Sequence, residues 1–117
     1  MKKYFNRFPH AVRGITYATG NDFGFRTQVY LGLVVAFIVF AIYSPLSLFE
    51  FLFILLGWFL ILITELQNSA LEIALDQLHP ELHDSIGRSK DMAAGAVLLA
   101  GLFLTIVLIA LLLSRLI

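Results

Sequence analysis

Three long apolar runs interrupt an otherwise mixed sequence: Val29–Tyr43, about Leu46–Thr64, and Met92–Leu113. A helix needs about 20 mostly apolar residues to cross a bilayer. The first run is shorter than this, so we extend it back toward Phe23 and let Arg26 reach the membrane surface with its charged end. The pattern predicts three transmembrane helices, at residues 24–43, 46–78 and 88–114.

The second helix is predicted to be much longer than its apolar run. Pro45 in "YSPLS" ends the first helix and marks a short turn. No helix-breaking residue follows until Pro80. We therefore expect the second helix to leave the membrane and continue into water as far as Leu78.

An amphipathic helix is predicted ahead of the first span, at residues 4–20. Apolar or small residues recur there at positions 8, 11, 12, 15 and 18, with basic residues on other faces. This pattern is typical of a helix lying on the membrane surface. The stretch "TGND", Thr19–Asp22, is predicted to be the turn into the first span. The whole chain, residues 1–117, is then one all-α membrane domain.

Composition supports this interpretation. Hydrophobic residues make up 60% of the 117 and charged residues 14%, whereas a soluble domain has about 25% charged residues. The chain has no cysteine, so thiolate metal sites are excluded, and its net charge of zero argues against a nucleic-acid partner. The start "MKKYFNRF" does not have the form of a signal peptide.

Basic residues predict the orientation. Five of the eight precede the first apolar run, Val29–Tyr43, namely Lys2, Lys3, Arg7, Arg13 and Arg26. Arg88 and Lys90 lie in the second loop, and Arg115 is a minor exception at the other side. By the positive-inside rule, the N-terminus and the second loop are cytoplasmic.

Four polar residues follow the second apolar run at helical spacing: Glu65, Asn68, Glu72 and Asp76. On a helix they form one stripe about 80° wide. The predicted topology brings this stripe to the inner surface together with Asp22, Lys90 and Asp91. Carboxylates are suitable ligands for Mg²⁺, a lysine can offset phosphate charge, and a carboxylate can act as a general base. We read the set as a candidate phosphoryl-transfer site.

The motif E-x-x-N-S-A-x-E-x-x-x-D at 65–76, with G-R-x-K-D-M at 87–92, resembles the prokaryotic diacylglycerol kinase family. The resemblance implies a homotrimer of three-span subunits in the bacterial inner membrane. It also implies transfer of the γ-phosphoryl group of ATP, with Mg²⁺, to the hydroxyl of a membrane lipid. Diacylglycerol is the expected acceptor, because "GRSKDM" is closer to the diacylglycerol-type members, and undecaprenol stays open as the alternative.

The resemblance also implies a role for each residue that matches a position of the family's motifs. The resemblance implies Glu65 as catalytic base, Asp22 and Glu72 as metal ligands, Asp76, Lys90 and Asp91 at the nucleotide, and Asn68, Ser69 and Arg26 lining the site. Asp22 stands where the family has the longer Glu, which could shift the metal. Gln28 and Gln67 also depart from the family pattern, which affects fine specificity.

Two further expectations complete the sequence-based picture. "GRSKD" lacks the spacing of a Walker motif, and we expect a loop turn at Gly87 from which Lys90 reaches the phosphates. A transport or accessory subunit is the alternative from a different functional class. Transport carboxylates would be expected near the bilayer midplane, whereas these cluster at one end.

Overall fold

A computed structural model describes residues 2–78, 81 and 83–117, and Pro80 therefore lies outside the described residues. Its four helices are α1 (Lys2–Asn21), α2 (Phe23–Tyr43), α3 (Leu48–Leu78) and α4 (Asp84–Leu116). The last three are each long and apolar enough to cross a membrane. The predictions of an all-helical chain and of three possible spans are confirmed. The surface location of α1 and the trimer stay predictions.

A single residue, Asp22, separates α1 from α2. The prediction that the turn begins at Thr19 is wrong, because α1 continues to Asn21. The Asp22 N–H extends the helical pattern by donating to the Ala18 carbonyl at 2.9 Å. The Asp22 backbone is extended, with φ −105° and ψ 108°, so the chain changes direction at this residue.

α3 begins at Leu48, two residues after the predicted start, because a capping box sets its first turn. The Glu50 N–H donates to Ser47 Oγ at 3.1 Å, and the Ser47 N–H donates to Glu50 Oε1 at 2.8 Å. This reciprocal pair satisfies two N–H groups that a helix start otherwise leaves free. Arg115 of α4 also donates to Glu50 Oε1, at 3.0 Å, which ties the end of α4 to the α2–α3 turn.

α4 begins at Asp84, so the loop turn expected at Gly87 is wrong. The Gly87 N–H donates to the His83 carbonyl at 3.0 Å, as in a regular first turn. No proline lies between Asp84 and Lys90 to stop the helix there. Lys90 and Asp91 therefore project from a helix rather than from a loop.

The most extensive helix contact is between α3 and α4, and Gly57 lies buried at this interface. A Cβ at Gly57 would lie 3.2 Å from the backbone Cα of Leu104, so the two helices approach closely. α2 packs on α3 through Trp58, whose indole N–H donates to the Gln28 carbonyl at 3.2 Å. Most large apolar side chains are exposed in the single chain, as expected for surfaces that face lipid or other subunits.

Candidate active site

Asp22 connects the start of α2 to the middle of α3. One carboxylate oxygen, Oδ1, accepts a hydrogen bond from the Gly24 N–H at 3.2 Å, which caps α2. The other, Oδ2, accepts a hydrogen bond of 2.5 Å from the Ser69 hydroxyl, 47 positions away in sequence. The two bonds fix the orientation of this carboxylate at the point where α1, α2 and α3 meet.

Glu65 lies one helical turn before Ser69 on α3 and is half-buried. Its carboxylate occupies the space beside Gly24, where a Cβ would overlap Glu65 Oε1. The negative charges of Asp22 and Glu72 both act on Glu65. The structure thus joins Asp22 directly to Ser69 and places Glu65 beside Gly24, with Asp22 and Glu72 close enough to Glu65 to interact electrostatically.

A second contact at the same end of the bundle joins α3 to α4. Lys90 Nζ lies 2.6 Å from Asp76 Oδ1. Glu72 also acts electrostatically on Lys90. Because Glu72 interacts with both Glu65 and Lys90, it links the Asp22 cluster to the Asp76–Lys90 pair.

Three predicted site residues stand apart from these contacts. Asn68 is half-buried, and its buried Oδ1 has no hydrogen-bond partner in the described part of the chain. Arg26 turns back toward α1, with Nη1 donating to the Gly20 carbonyl at 3.4 Å. Asp91 is exposed, and its carboxylate makes no hydrogen bond or ion pair among the described residues.

Asp22 and Glu72 offer carboxylate oxygens, the ligand type that Mg²⁺ takes in proteins. The described residues contain no group of three or more side chains positioned to hold a metal. Mg²⁺ does not need one, since it is usually bound by one or two carboxylates and completes its shell with waters and substrate phosphates. Asp22 and Glu72 are two such carboxylates on neighbouring elements, and both act on the same Glu65.

A family profile described as prokaryotic diacylglycerol kinase matches residues 9–112. The chain belongs to the prokaryotic diacylglycerol kinase family. Membership confirms the resemblance that the 65–76 and 87–92 motifs indicated. Together with the three apolar helices, it supports a protein of the bacterial inner membrane.

Individual members of the family are distant relatives. A diacylglycerol kinase of Helicobacter pylori strain 26695 is 33% identical over 106 residues, covering 91% of this chain and 81% of the relative. One from Haemophilus influenzae is 26% identical over 95 residues, covering 81% and 79%. The Escherichia coli K12 relative is 46% identical over 41 residues, 35% of this chain, and the chain matches only 34% of that relative's length.

Two features of the site were not found from the sequence. Ser69 was predicted only to line the site, whereas its hydroxyl bonds directly to Asp22. Gly24 was not predicted to take part at all, yet it supplies the space for Glu65. Asp22 ahead of an apolar helix is a recognisable N-cap signal, but a helical glycine carries no signal of what lies beside it.

Proposed function

We propose that this protein is a lipid kinase of the bacterial inner membrane that transfers the γ-phosphoryl group of ATP to diacylglycerol, giving phosphatidic acid. Its relatives carry the name diacylglycerol kinase. The main structural support is the position of Glu65 against the start of α2, beside the oriented carboxylate of Asp22. The proposal includes a homotrimer with the N-terminus in the cytoplasm.

In this proposal Glu65 is the general base. It takes the proton from the acceptor hydroxyl while that oxygen attacks the γ-phosphorus of ATP. The new oxygen–phosphorus bond forms as the bond to the β–γ bridging oxygen breaks, and ADP leaves with that oxygen. Glu65 lies just after the apolar run of α3, where the hydroxyl of a membrane lipid would meet a water-soluble nucleotide.

Asp22 and Glu72 are the proposed ligands of Mg²⁺. When bound there, the ion would supply positive charge that offsets the negative charge of the phosphate groups. The charge balance supports a cation: among the interactions described, Lys90 acts on Asp76 and Glu72, whereas only the negative charges of Asp22 and Glu72 act on Glu65. Without a further cation this cluster would repel ATP.

Lys90, Asp76 and Asp91 are proposed to contact the nucleotide. Asp76 holds the Lys90 ammonium near Glu72, and from there the lysine can act on a phosphate as a point charge. Asn68, Ser69 and Arg26 line the site in this proposal. The unpaired Asn68 Oδ1 supports its place in the site lining, because a buried amide oxygen normally accepts a hydrogen bond. A substrate hydroxyl could donate this hydrogen bond.

The test is lipid phosphorylation by the purified protein in mixed micelles with Mg²⁺ and [γ-³²P]ATP. Parallel samples contain diacylglycerol, undecaprenol or no lipid alcohol, and labelled lipid is separated by chromatography. We expect labelled phosphatidic acid in the diacylglycerol sample. If undecaprenyl phosphate is the only labelled product, undecaprenol replaces diacylglycerol as the proposed acceptor. No labelled lipid in either sample would contradict the kinase proposal and favour a transport or accessory role.

A further inference from the structure

We propose that Gly24 is a positioning residue for the catalytic carboxylate: its missing side chain creates the space in which Glu65 is held. A Cβ built at Gly24 would overlap Glu65 Oε1 and lie 3.3 Å from Glu65 Cδ. The next neighbour, Asp22 Oδ1, would be at an ordinary 3.7 Å. A methyl group added at position 24 would therefore displace the Glu65 side chain and leave Asp22 in place. This inference rests on the proposed function.

The backbone gives no other reason for a glycine here. Gly24 lies in the first turn of α2, and none of the described glycines has a positive φ. Alanine forms helices more readily than glycine, so helix propensity does not favour glycine at this position either. The Gly24 N–H bonds to Asp22 Oδ1, a bond that alanine would also make. What glycine alone provides at this position is the room beside its Cα.

The atom that a methyl group would meet is the end of a flexible side chain. Glu65 can rotate away at little cost to the fold, but its carboxylate then leaves the start of α2. Misplacement of a reacting group by about 1 Å can lower a rate by as much as 10²-fold. A change at Gly24 is therefore expected to reduce turnover without reducing stability.

The first experiment compares Gly24→Ala with Gly20→Ala in the mixed-micelle assay. Gly20 is exposed at the end of α1, and a Cβ there meets nothing within 4 Å. We expect Gly24→Ala to lower kcat by about 10- to 100-fold with an unchanged KM for MgATP. Its Tm should equal or exceed that of the wild type, and Gly20→Ala should keep normal kcat. Normal kcat in Gly24→Ala, or a loss matched by lower Tm, would overturn the inference.

A double-mutant cycle tests whether the effect passes through Glu65. Glu65→Asp shortens the side chain, so its carboxylate no longer reaches the space beside Gly24. Adding Gly24→Ala to Glu65→Asp should then cost little further activity, a strongly non-additive result. If the two losses in kcat simply multiply, Gly24 does not act through Glu65.

A third readout does not depend on turnover. A water-soluble carbodiimide with an added amine modifies carboxyl groups that are exposed to water, and peptide mapping by mass spectrometry reports the rate at Glu65. We expect Glu65 to react severalfold faster in Gly24→Ala than in the wild type or Gly20→Ala, because it has left its half-buried position. Equal rates would overturn the inference. If the wild type phosphorylates no lipid, the proposed kinase function fails, while this measurement still decides whether Gly24 positions Glu65.

Discussion

Asp22 both caps α2 and supplies a carboxylate to the candidate site, and two substitutions separate these contributions. Asp22→Ala removes the cap, the hydrogen bond from Ser69 and the charge. Asp22→Asn removes the charge but keeps a side chain that caps helices as well as aspartate does. An amide oxygen at this position can still accept from the Gly24 N–H or the Ser69 hydroxyl.

The hydrogen bonds set the size of the stability effect. Replacing an Asp N-cap by Ala costs about 1 kcal/mol. A hydrogen bond to a charged group contributes about 1.5–3 kcal/mol, and the half-exposed Ser69–Asp22 pair belongs at the lower end of that range. Asp22→Ala should therefore lose roughly 2.5 kcal/mol in the free energy of unfolding, whereas Asp22→Asn should lose less than about 1 kcal/mol.

A magnesium titration of lipid phosphorylation tests what the charge of Asp22 contributes to activity. Both variants should need a higher Mg²⁺ concentration for half-maximal rate, because each removes a proposed ligand. Thermal unfolding followed by Trp58 fluorescence, the chain's one tryptophan, should show a drop in Tm mainly for Asp22→Ala. Wild-type Mg²⁺ dependence in Asp22→Asn would exclude Asp22 as a ligand. Equal destabilisation of both variants would contradict the capping role.

Three further predictions test the base, the helix packing and the assembly. Glu65→Gln should lower kcat by about 10²–10⁴-fold with ATP binding intact by equilibrium dialysis; retention of half the activity would remove Glu65 from the mechanism. Gly57→Ala should lower Tm although alanine favours helices, because the backbone of Leu104 at 3.2 Å cannot yield; Gly101→Ala, which meets nothing within 4 Å, is the control. Mixing inactive Glu65→Gln and Asp91→Ala subunits should restore activity, because Asp91 stands apart from the Glu65 cluster of its own chain and is free to serve a neighbour's site; mixed trimers that cross-linking verifies but that stay inactive would place each site within one chain.

The helices could be predicted from the sequence because long apolar runs leave few alternatives to membrane-spanning helices. The predicted ends of the helices were less accurate. α3 was predicted to begin directly after Pro45, although the "SLFE" capping box at residues 47–50 marks the later start that the structure shows. Gly87 was predicted to form a turn. A helix tolerates a single glycine at a cost of about 1 kcal/mol, and the 33-residue helix α4 continues through Gly87.

Part of the candidate site could also be predicted. Spacing along one helix places Glu65, Asn68 and Glu72 on one stripe, because that relationship is local. The bond between Asp22 and Ser69 depends on how closely α2 approaches α3, and no residue pattern specifies this distance. The same is true of Gly24, whose contribution is an absence of atoms beside Glu65.

The position of Lys90 on a helix changes how the site must work. A lysine on a loop could follow the phosphates as they move, but α4 packs along α3, and the Asp76 carboxylate holds Lys90 at 2.6 Å. Its charge therefore lies beside Asp76 and within electrostatic reach of Glu72 before any substrate binds. Such preorganisation would lower the cost of arranging charges during the proposed phosphoryl transfer. Asp76→Asn should accordingly raise the KM for MgATP while leaving the Mg²⁺ requirement close to that of the wild type, and the reverse pattern would assign Asp76 to the metal instead.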